Sequence, residues 1–133
     1  MDWMDIRSYR VFGFLAGVRN YAASPVIREP KGWPADMSPD LKEVIYDDDL
    51  HTKSWITAAE LINYDYDQII EDRRVGRWTG PKSFDGGCTA EPGGGQIMTM
   101  REFLGEYFFD QVKELAAVAP DPNDVRVVFA FDN

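Results

Sequence analysis

The side chains that could do chemistry in this 133-residue chain are few, and they favour binding over catalysis. The sequence has one histidine and one cysteine, too few for a zinc site of those residue types or for a cysteine–histidine dyad with further partners. Arginine and aromatic side chains remain, because a guanidinium can grip a phosphate through paired hydrogen bonds and an indole ring offers a stacking surface. This composition leaves open arginine sites for phosphate, metal sites made only of carboxylates, and plain binding surfaces.

Five residues are predicted to bind a ligand together. Arg19 and Asn20 follow a predicted helix, His51 and Trp55 lie close together in a polar segment, and Arg126 belongs to the C-terminal strand. We expect the arginines to bind phosphate, Trp55 to stack on a nucleobase, and His51 and Asn20 to hydrogen-bond to the polar edges of the ligand. A structural role is the alternative for Arg19 and Asn20, because their side chains can also hydrogen-bond to the free carbonyls at the end of the first helix. A lone histidine in a loop before a helix is more often a capping or core residue. No catalytic residue, metal ligand or cofactor is assigned.

The other polar motifs are interpreted as structural. Gly93-Gly94-Gly95 precedes a helix start, as in anion-binding loops, but no Gly-Lys-Ser/Thr follows, so a flexible hairpin turn is predicted. Asp47-Asp48-Asp49 lacks the spacing and the glycine of an EF-hand and indicates a solvated acidic face. Arg73-Arg74 and Arg77 are predicted to neutralise a helix end, and Cys88 to be a small structural residue.

The acidic balance bears on partners and location. A net charge of -9 repels polyphosphate chains at long range, so general nucleic-acid binding is not expected. The acidic side chains either keep the protein soluble or imitate nucleic acid and bind the basic surface of a partner protein. With 44% hydrophobic residues the chain can bury a core, and we expect a single domain over residues 1–133. It shows neither a membrane span nor a secretory signal, which predicts a cytoplasmic protein without membrane contact.

Helix starts are the clearest structural signals. Thr57-Ala58-Ala59-Glu60 and Thr99-Met100-Arg101-Glu102 are capping boxes with flanking apolar residues, and Ser38-Pro39-Asp40 is a further start. The first helix is inferred instead from apolar residues near helical spacing, at Ile6, Tyr9, Phe12, Leu15 and Val18. The predicted helices run from about Asp5 to Arg19, from Ser38 onward, from about Ala58 to Asp72 and from about Met100 to Val118.

The glycines of the first helix and the proline-rich segment after it each predict a structural feature. Gly13 and Gly17 inside the first helix cost about 1 kcal/mol each, so close packing against another backbone is expected there. Residues 20–37, which we call the strap, are punctuated by Pro25, Pro30 and Pro34 and predicted to pack on the surface without regular structure.

One strand is strongly indicated. Residues 125–131 are β-branched and aromatic, which predicts a buried strand, whereas residues 77–79 and 96–98 are only weak candidates for its partners. Pairing with another copy of the chain is therefore an option, and a homo-oligomer is expected. The predicted class is α+β, with three to four helices packed on a small antiparallel sheet that includes the C-terminal strand.

Several blocks in order resemble a family of small proteins from bacteriophages and prophages. The blocks are YRVFGFLAGVRN from residue 9, EPKGWP from 29, HTKSW from 51, GCTAEPG from 87 and VRVVFAFDN from 125. The resemblance covers nearly the whole chain and implies a phage setting, although it brings no established activity. Many members open with a strand of the form Met-Gly-Cys-Asp-Ile-His, whereas this chain begins Met1-Asp2-Trp3, so the resemblance gives no support to a metal role.

The preferred functional hypothesis is a phage-encoded counter-defence protein that sequesters a small phosphorylated or nucleotide signal inside the host cell. An acidic inhibitor that imitates nucleic acid and binds a host protein is the first alternative. A nucleotide-processing enzyme with His51 as general base is the second.

Overall fold

The computed structural model describes residues 8–44, 49–74 and 89–132, and the structural statements below concern these ranges. They contain five α-helices and two antiparallel sheets of two strands each, which confirms the α+β class. In chain order the elements are α1 (Tyr9–Ala16), α2 (Pro39–Val44), β1 (His51–Thr57), α3 (Ala58–Asn63), β2 (Ile69–Asp72), β3 (Gln96–Thr99), α4 (Met100–Leu104), α5 (Glu106–Ala116) and β4 (Arg126–Phe131).

The C-terminal strand β4 lies in an antiparallel sheet, as the sequence predicts. The expectation that it is a buried strand is wrong, because only Phe131 of the strand is buried and its other residues are partly exposed. The partner of β4 is β1, with Trp55 opposite Val128 and Ile56 opposite Val127. Two further expectations from the sequence are wrong here: His51 lies in a strand and not in a loop before a helix, and β4 has a well-paired partner strand within the chain. The strand was missed because β1 begins with the polar residues His51 to Ser54, although it buries Ser54 and Ile56 in alternation.

The predicted helix from Ala58 to Asp72 is wrong beyond Asn63. The Tyr66 hydroxyl donates to the Leu61 carbonyl at the end of α3, and the chain then extends into β2. β2 pairs with β3, which confirms the strand predicted at residues 96–98. The other weak candidate, residues 77–79, lies outside the described residues.

The capped helix starts are confirmed. Thr57 accepts from the Glu60 amide while the Glu60 carboxylate accepts from the Thr57 amide, which completes the box at α3. The Thr99 hydroxyl likewise accepts from the Glu102 amide at 3.1 Å. The predicted helix from Met100 to Val118 is in fact two, because Gly105 has a φ of 84°, which breaks the helical path.

The first helix is shorter than the predicted Asp5 to Arg19. α1 ends at Ala16, and Gly17 caps it in a left-handed conformation with a φ of 73°. Ser8 precedes α1 as its N-cap, and its hydroxyl accepts from the Val11 amide; residues 5–7 of the predicted helix lie outside the described residues. Gly13 does allow a close approach, but to a side chain: a Cβ there would lie 2.8 Å from Asn20 Oδ1.

The core lies between α1, the two sheets and the helices α3 to α5. Its most deeply buried side chains are Phe14, Phe103, Phe108, Ile56, Leu61, Met100 and Ser54. The strap adds Ala22 and Met37 to the buried set, and the Ile27 amide donates to the Phe14 carbonyl at 2.8 Å. No helix in the described ranges has the length and apolarity needed to cross a bilayer.

Asp72 at the end of β2 is a buried carboxylate held by arginine. Arg74 donates to both of its oxygens, at 2.6 to 3.1 Å. Burial acts to raise the pKa of Asp72, but the hydrogen bonds and charge of Arg74, with the charge of Arg10, outweigh it, so the pKa lies below its ordinary value. Arg73-Arg74 therefore do not neutralise a helix end as predicted, since a strand ends there.

We expect Asp72→Asn to lower the free energy of unfolding at pH 7 by about 1 to 3 kcal/mol, because a charged hydrogen-bond acceptor is lost at a buried position. The pKa of Asp72 is lower in the folded than in the unfolded protein, so the stabilisation is complete above the unfolded value and is lost as pH falls through the folded one. Urea unfolding of both proteins between pH 7 and pH 2 should therefore show the stability difference shrinking in acid. A difference that stays constant over this range would contradict the assignment.

Candidate functional site

The strap runs beside β1 and is bonded to it at the middle of the strand. The Gly32 amide donates to the Lys53 carbonyl at 2.7 Å, and the Lys31 amide donates to Ser54 Oγ at 3.2 Å. Gly32 has a φ of 81°, a left-handed conformation that favours glycine. This backbone contact brings the side chains around Gly32 onto those of β1.

Cationic and aromatic side chains meet where the strap lies beside β1. Lys31 Nζ lies 3.2 Å from the centroid of the Trp55 ring, and Arg126 Cζ lies 5.7 Å from it. Lys53 Nζ lies 5.5 Å from the centroid of the Trp33 ring. All three distances are within the range of cation–π attraction. We call these five residues, Lys31, Trp33, Lys53, Trp55 and Arg126, the Trp55 surface.

The two strands of the first sheet explain why these groups face one way. Ser54 and Ile56 are 1% exposed and point into the core, so Lys53 and Trp55, which alternate with them, point to the other face. Arg126 is opposite Thr57 in the register, two positions along β1 from Trp55, and so lies on the same face as Trp55. The sheet thus positions three members of the surface, and the strap supplies Lys31 and Trp33.

The Trp55 surface is locally cationic in an acidic protein. Arg126 pairs with Asp36 at 2.7 Å, and the nearby Arg28 pairs with Glu60 at 2.7 Å. Burial and the charge of Arg28 lower the pKa of Lys31, while Glu60 acts in the opposite direction. Hydrogen bonding to Arg126 lowers the pKa of the exposed Asp36 carboxyl. An anion at this surface would relieve the repulsion between Lys31 and Arg28.

Of the five residues predicted to bind ligand, the structure brings Trp55 and Arg126 together. Arg19 and Asn20 lie at the start of the strap. Arg19 Nη1 donates to the Tyr9 hydroxyl at 2.7 Å. The Asn20 side chain donates to the Ser24 carbonyl and accepts from the Ser24 amide, which holds a turn. Their contacts are thus with the protein itself, and their predicted ligand role stays a prediction.

His51 is the first residue of β1, and its described contacts are with residues outside the Trp55 surface. It is opposite Phe131 in the register, and its ring centroid is 6.2 Å from that ring. His51 Nδ1 is 2.8 Å from Thr52 Oγ1, and Thr52 has a φ of 54°, where the strand register shifts. The role of His51 in ligand binding or as a general base stays a prediction.

The remaining motifs from the sequence have internal partners or lie outside the described residues. The Gly93 amide donates to the Glu71 carboxylate at 3.0 Å, so it is engaged by the protein. Among the described residues, no three His, Cys, Asp or Glu side chains are grouped so that they could hold a metal ion. Asp47-Asp48, Arg77 and Cys88 lie outside the described residues.

Three members of the Trp55 surface were not assigned a ligand role from the sequence: Lys31, Trp33 and Lys53. A signal for them exists, because Lys31-Gly32-Trp33 and Lys53-Ser54-Trp55 share the pattern Lys-x-Trp. The pattern is only three residues long, so it acquires meaning only once the two segments are seen side by side.

Comparison with known proteins adds no family to this description. The chain matches no protein-family model, and neither the curated proteins nor the solved structures contain a match to it. The fold and the Trp55 surface therefore carry the functional argument.

Proposed function

We propose that this protein binds a small phosphorylated or nucleotide ligand at the Trp55 surface and sequesters it. The observation that carries the proposal is that Lys31 and Arg126 both lie against the Trp55 ring, at 3.2 Å and 5.7 Å from its centroid. The cations can bind the anionic phosphate of a nucleotide, and the indole ring beside them can stack on its planar base.

The chemistry of each group suits this ligand class. Arg126 presents a planar fork that can bind two phosphate oxygens, and a phosphate would compete with Asp36 for it. Asp36 is 81% exposed at its side chain, so its carboxylate can return to water at little cost when the phosphate takes its place. Lys31 and Lys53 are flexible point charges that can move from the rings to the phosphate while a base stacks on the indole.

Sequestration is preferred to turnover because of the residue types at the surface. The five side chains of the Trp55 surface are cations and indole rings, and none of them is a carboxylate, histidine, serine or cysteine. The nearby carboxylates Asp36 and Glu60 are engaged with arginines. Such a site can hold and neutralise an anion, whereas hydrolysis also needs a base or nucleophile in reach of the reacting atom.

The setting proposed for this activity is a bacteriophage protein acting in the cytoplasm of its host, against a defence that uses a small signal. The support for it is the resemblance of five sequence blocks to phage and prophage proteins. The expected homo-oligomer belongs to the same proposal, since a ligand shared between subunits would be withheld from its receptor more completely.

We expect Arg126→Gln to weaken binding of nucleotides by about 10- to 100-fold, because a charge-assisted hydrogen bond to phosphate is lost. The measurement is isothermal titration of the purified protein with adenine and guanine nucleotides, supported by quenching of tryptophan fluorescence.

Arg101→Gln is the matched control for this experiment. Arg101 also pairs with an exposed aspartate, Asp67, at 3.1 Å, and also lies over an aromatic ring, Phe109, at 4.9 Å from its centroid. Its removal should leave affinity within roughly twofold of the unaltered protein, because it is outside the Trp55 surface. Equal losses in the two variants, or no binding of any nucleotide by the unaltered protein, would overturn the proposal.

An acidic inhibitor is a second candidate, favoured by one feature of α5. Glu106, Asp110 and Glu114 are exposed and spaced four residues apart, so they form one negative face of the helix. Such a face suits a basic partner surface of the kind that binds nucleic acid. A protein of this class would bind that partner and no nucleotide, so the titration above separates the two candidates.

A further inference from the structure

The Trp55 surface is built from two copies of one three-residue pattern. Lys31-Gly32-Trp33 in the strap and Lys53-Ser54-Trp55 in β1 lie side by side and cross-paired. Lys31 contacts Trp55, and Lys53 contacts Trp33, so each lysine lies against the tryptophan of the other segment. This pairing is that of two antiparallel segments. It relates the two lysine–tryptophan pairs by an approximate two-fold symmetry, although both hydrogen bonds between the segments are donated by the strap.

The backbone fixes this crossed arrangement at its centre. The Gly32 amide donates to the Lys53 carbonyl, and the Lys31 amide donates to the hydroxyl of Ser54, the middle residue of the second segment. Because Ser54 is 1% exposed, the lysine and tryptophan on either side of it face away from the core. The symmetry is approximate, since one ammonium lies 3.2 Å and the other 5.5 Å from its ring.

We infer that the ligand of the Trp55 surface is a molecule with two equivalent halves, each with a planar ring and a phosphate, namely a dinucleotide. The inference rests on the proposed function and deepens it by naming the ligand class. Two indole rings and two ammonium groups match two bases and two phosphates. A mononucleotide would use one lysine–tryptophan pair, which we call a unit, and leave the other unit empty. Arg126 adds a further cation beside Trp55.

Linking two halves has a large effect on affinity. Once one base and its phosphate are bound, the second half is held near its own site at an effective concentration set by the short linkage. The gain over a single half is typically about 100-fold or more, provided that both halves can be engaged together. A dinucleotide should therefore exceed its mononucleotide counterpart by at least about 100-fold at this surface.

The test compares ligands that differ in the number of halves and in little else. Cyclic adenosine monophosphate and cyclic diadenosine monophosphate have the same base and the same phosphodiester charge per half, and the guanosine pair repeats the comparison. Isothermal titration of the full chain should show at least one cyclic dinucleotide bound about 100-fold or more tightly than its cyclic mononucleotide. Similar affinities for the two would overturn this inference while leaving the proposed function standing. Binding of neither would overturn both.

A variant that removes one of the two tryptophan rings tests whether both rings bind the dinucleotide. Trp33→Ala should bring the ratio of dinucleotide to mononucleotide affinity from about 100-fold down to near one, because the ring assigned to the second base is removed. Tyr107→Ala, which removes an exposed aromatic residue from α5, is the control and should change neither affinity. Melting curves confirm that both variants are folded. A Trp33→Ala protein that keeps the full preference for the dinucleotide would show that the second unit does not bind the second half.

Discussion

Phe14→Ala is expected to lower the free energy of unfolding by about 3 to 5 kcal/mol, the usual cost of removing a buried phenylalanine ring. Phe14 is fully buried, and its ring meets those of Tyr64, Phe108 and Tyr66 at centroid distances of 4.9, 5.8 and 5.9 Å. Edge-to-face contacts of this kind add to the loss from burial alone. Urea unfolding followed by circular dichroism measures the change.

Ile69→Ala is the control for the Phe14 prediction. Ile69 is 67% exposed on β2, so its truncation should change stability by no more than about 0.5 kcal/mol. If Phe14→Ala costs less than about 1 kcal/mol, the aromatic cluster around Phe14 is not the centre of the core. A loss in the expected range would show that α1, α3 and α5 unfold with a common core.

The position of Phe14 shows why the buried face of α1 was predicted only in part: Leu15 was assigned to that face correctly, but Phe14 was not assigned to it. The predicted stripe included Phe12 and Val18, which the structure leaves partly buried, whereas Val11 and Phe14 are buried. Residues 11–18 are apolar or glycine all around the helix, so the helical period does not single out one face. Only the packing partners decide which face is inside, and those come from distant parts of the chain.

The two helices with capping boxes were predictable at their starts but not at their ends. A capping box is local chemistry, formed within four residues; the box at α3 is complete, and at α4 the Thr99 hydroxyl accepts from the Glu102 amide. The end of α3 depends on Tyr66, whose hydroxyl reaches the Leu61 carbonyl, and on the pairing of β2 with a strand more than twenty residues further along the chain. Such long-range pairing overrides the helical tendency of a short segment.

The candidate site was predictable in part for a similar reason. Trp55 and Arg126 are residue types that bind nucleotides, and Trp55 was selected also for its place beside His51. Lys31 and Trp33 join them through the backbone contact between the strap and β1, which no local pattern indicates. Arg19 and His51 were selected by similar reasoning; their described contacts are with Tyr9 and Thr52, and their ligand role stays a prediction.

The double charge reversal Lys31→Glu and Lys53→Glu should have the largest effect on ligand binding. Each replacement removes a cation that would bind a phosphate and introduces a carboxylate that would repel it. Each charge-assisted hydrogen bond lost costs about 1.5 to 3 kcal/mol of binding free energy. The two losses together predict a fall in nucleotide affinity of at least about 100-fold. Isothermal titration at two salt concentrations measures this, and the residual affinity should depend less on salt than that of the unaltered protein.

Stability separates this effect from a loss of structure. Lys31 and Lys53 contribute cation–π contacts worth about 0.5 to 1 kcal/mol each at exposed sites, so the double variant should remain folded. The control is Lys42→Glu with Lys113→Glu, which makes the same change of net charge on α2 and α5, outside the Trp55 surface. If both double variants lose affinity equally, the attraction comes from the net charge of the protein. If only the Lys31 and Lys53 variant loses it, the two lysines hold the phosphates directly.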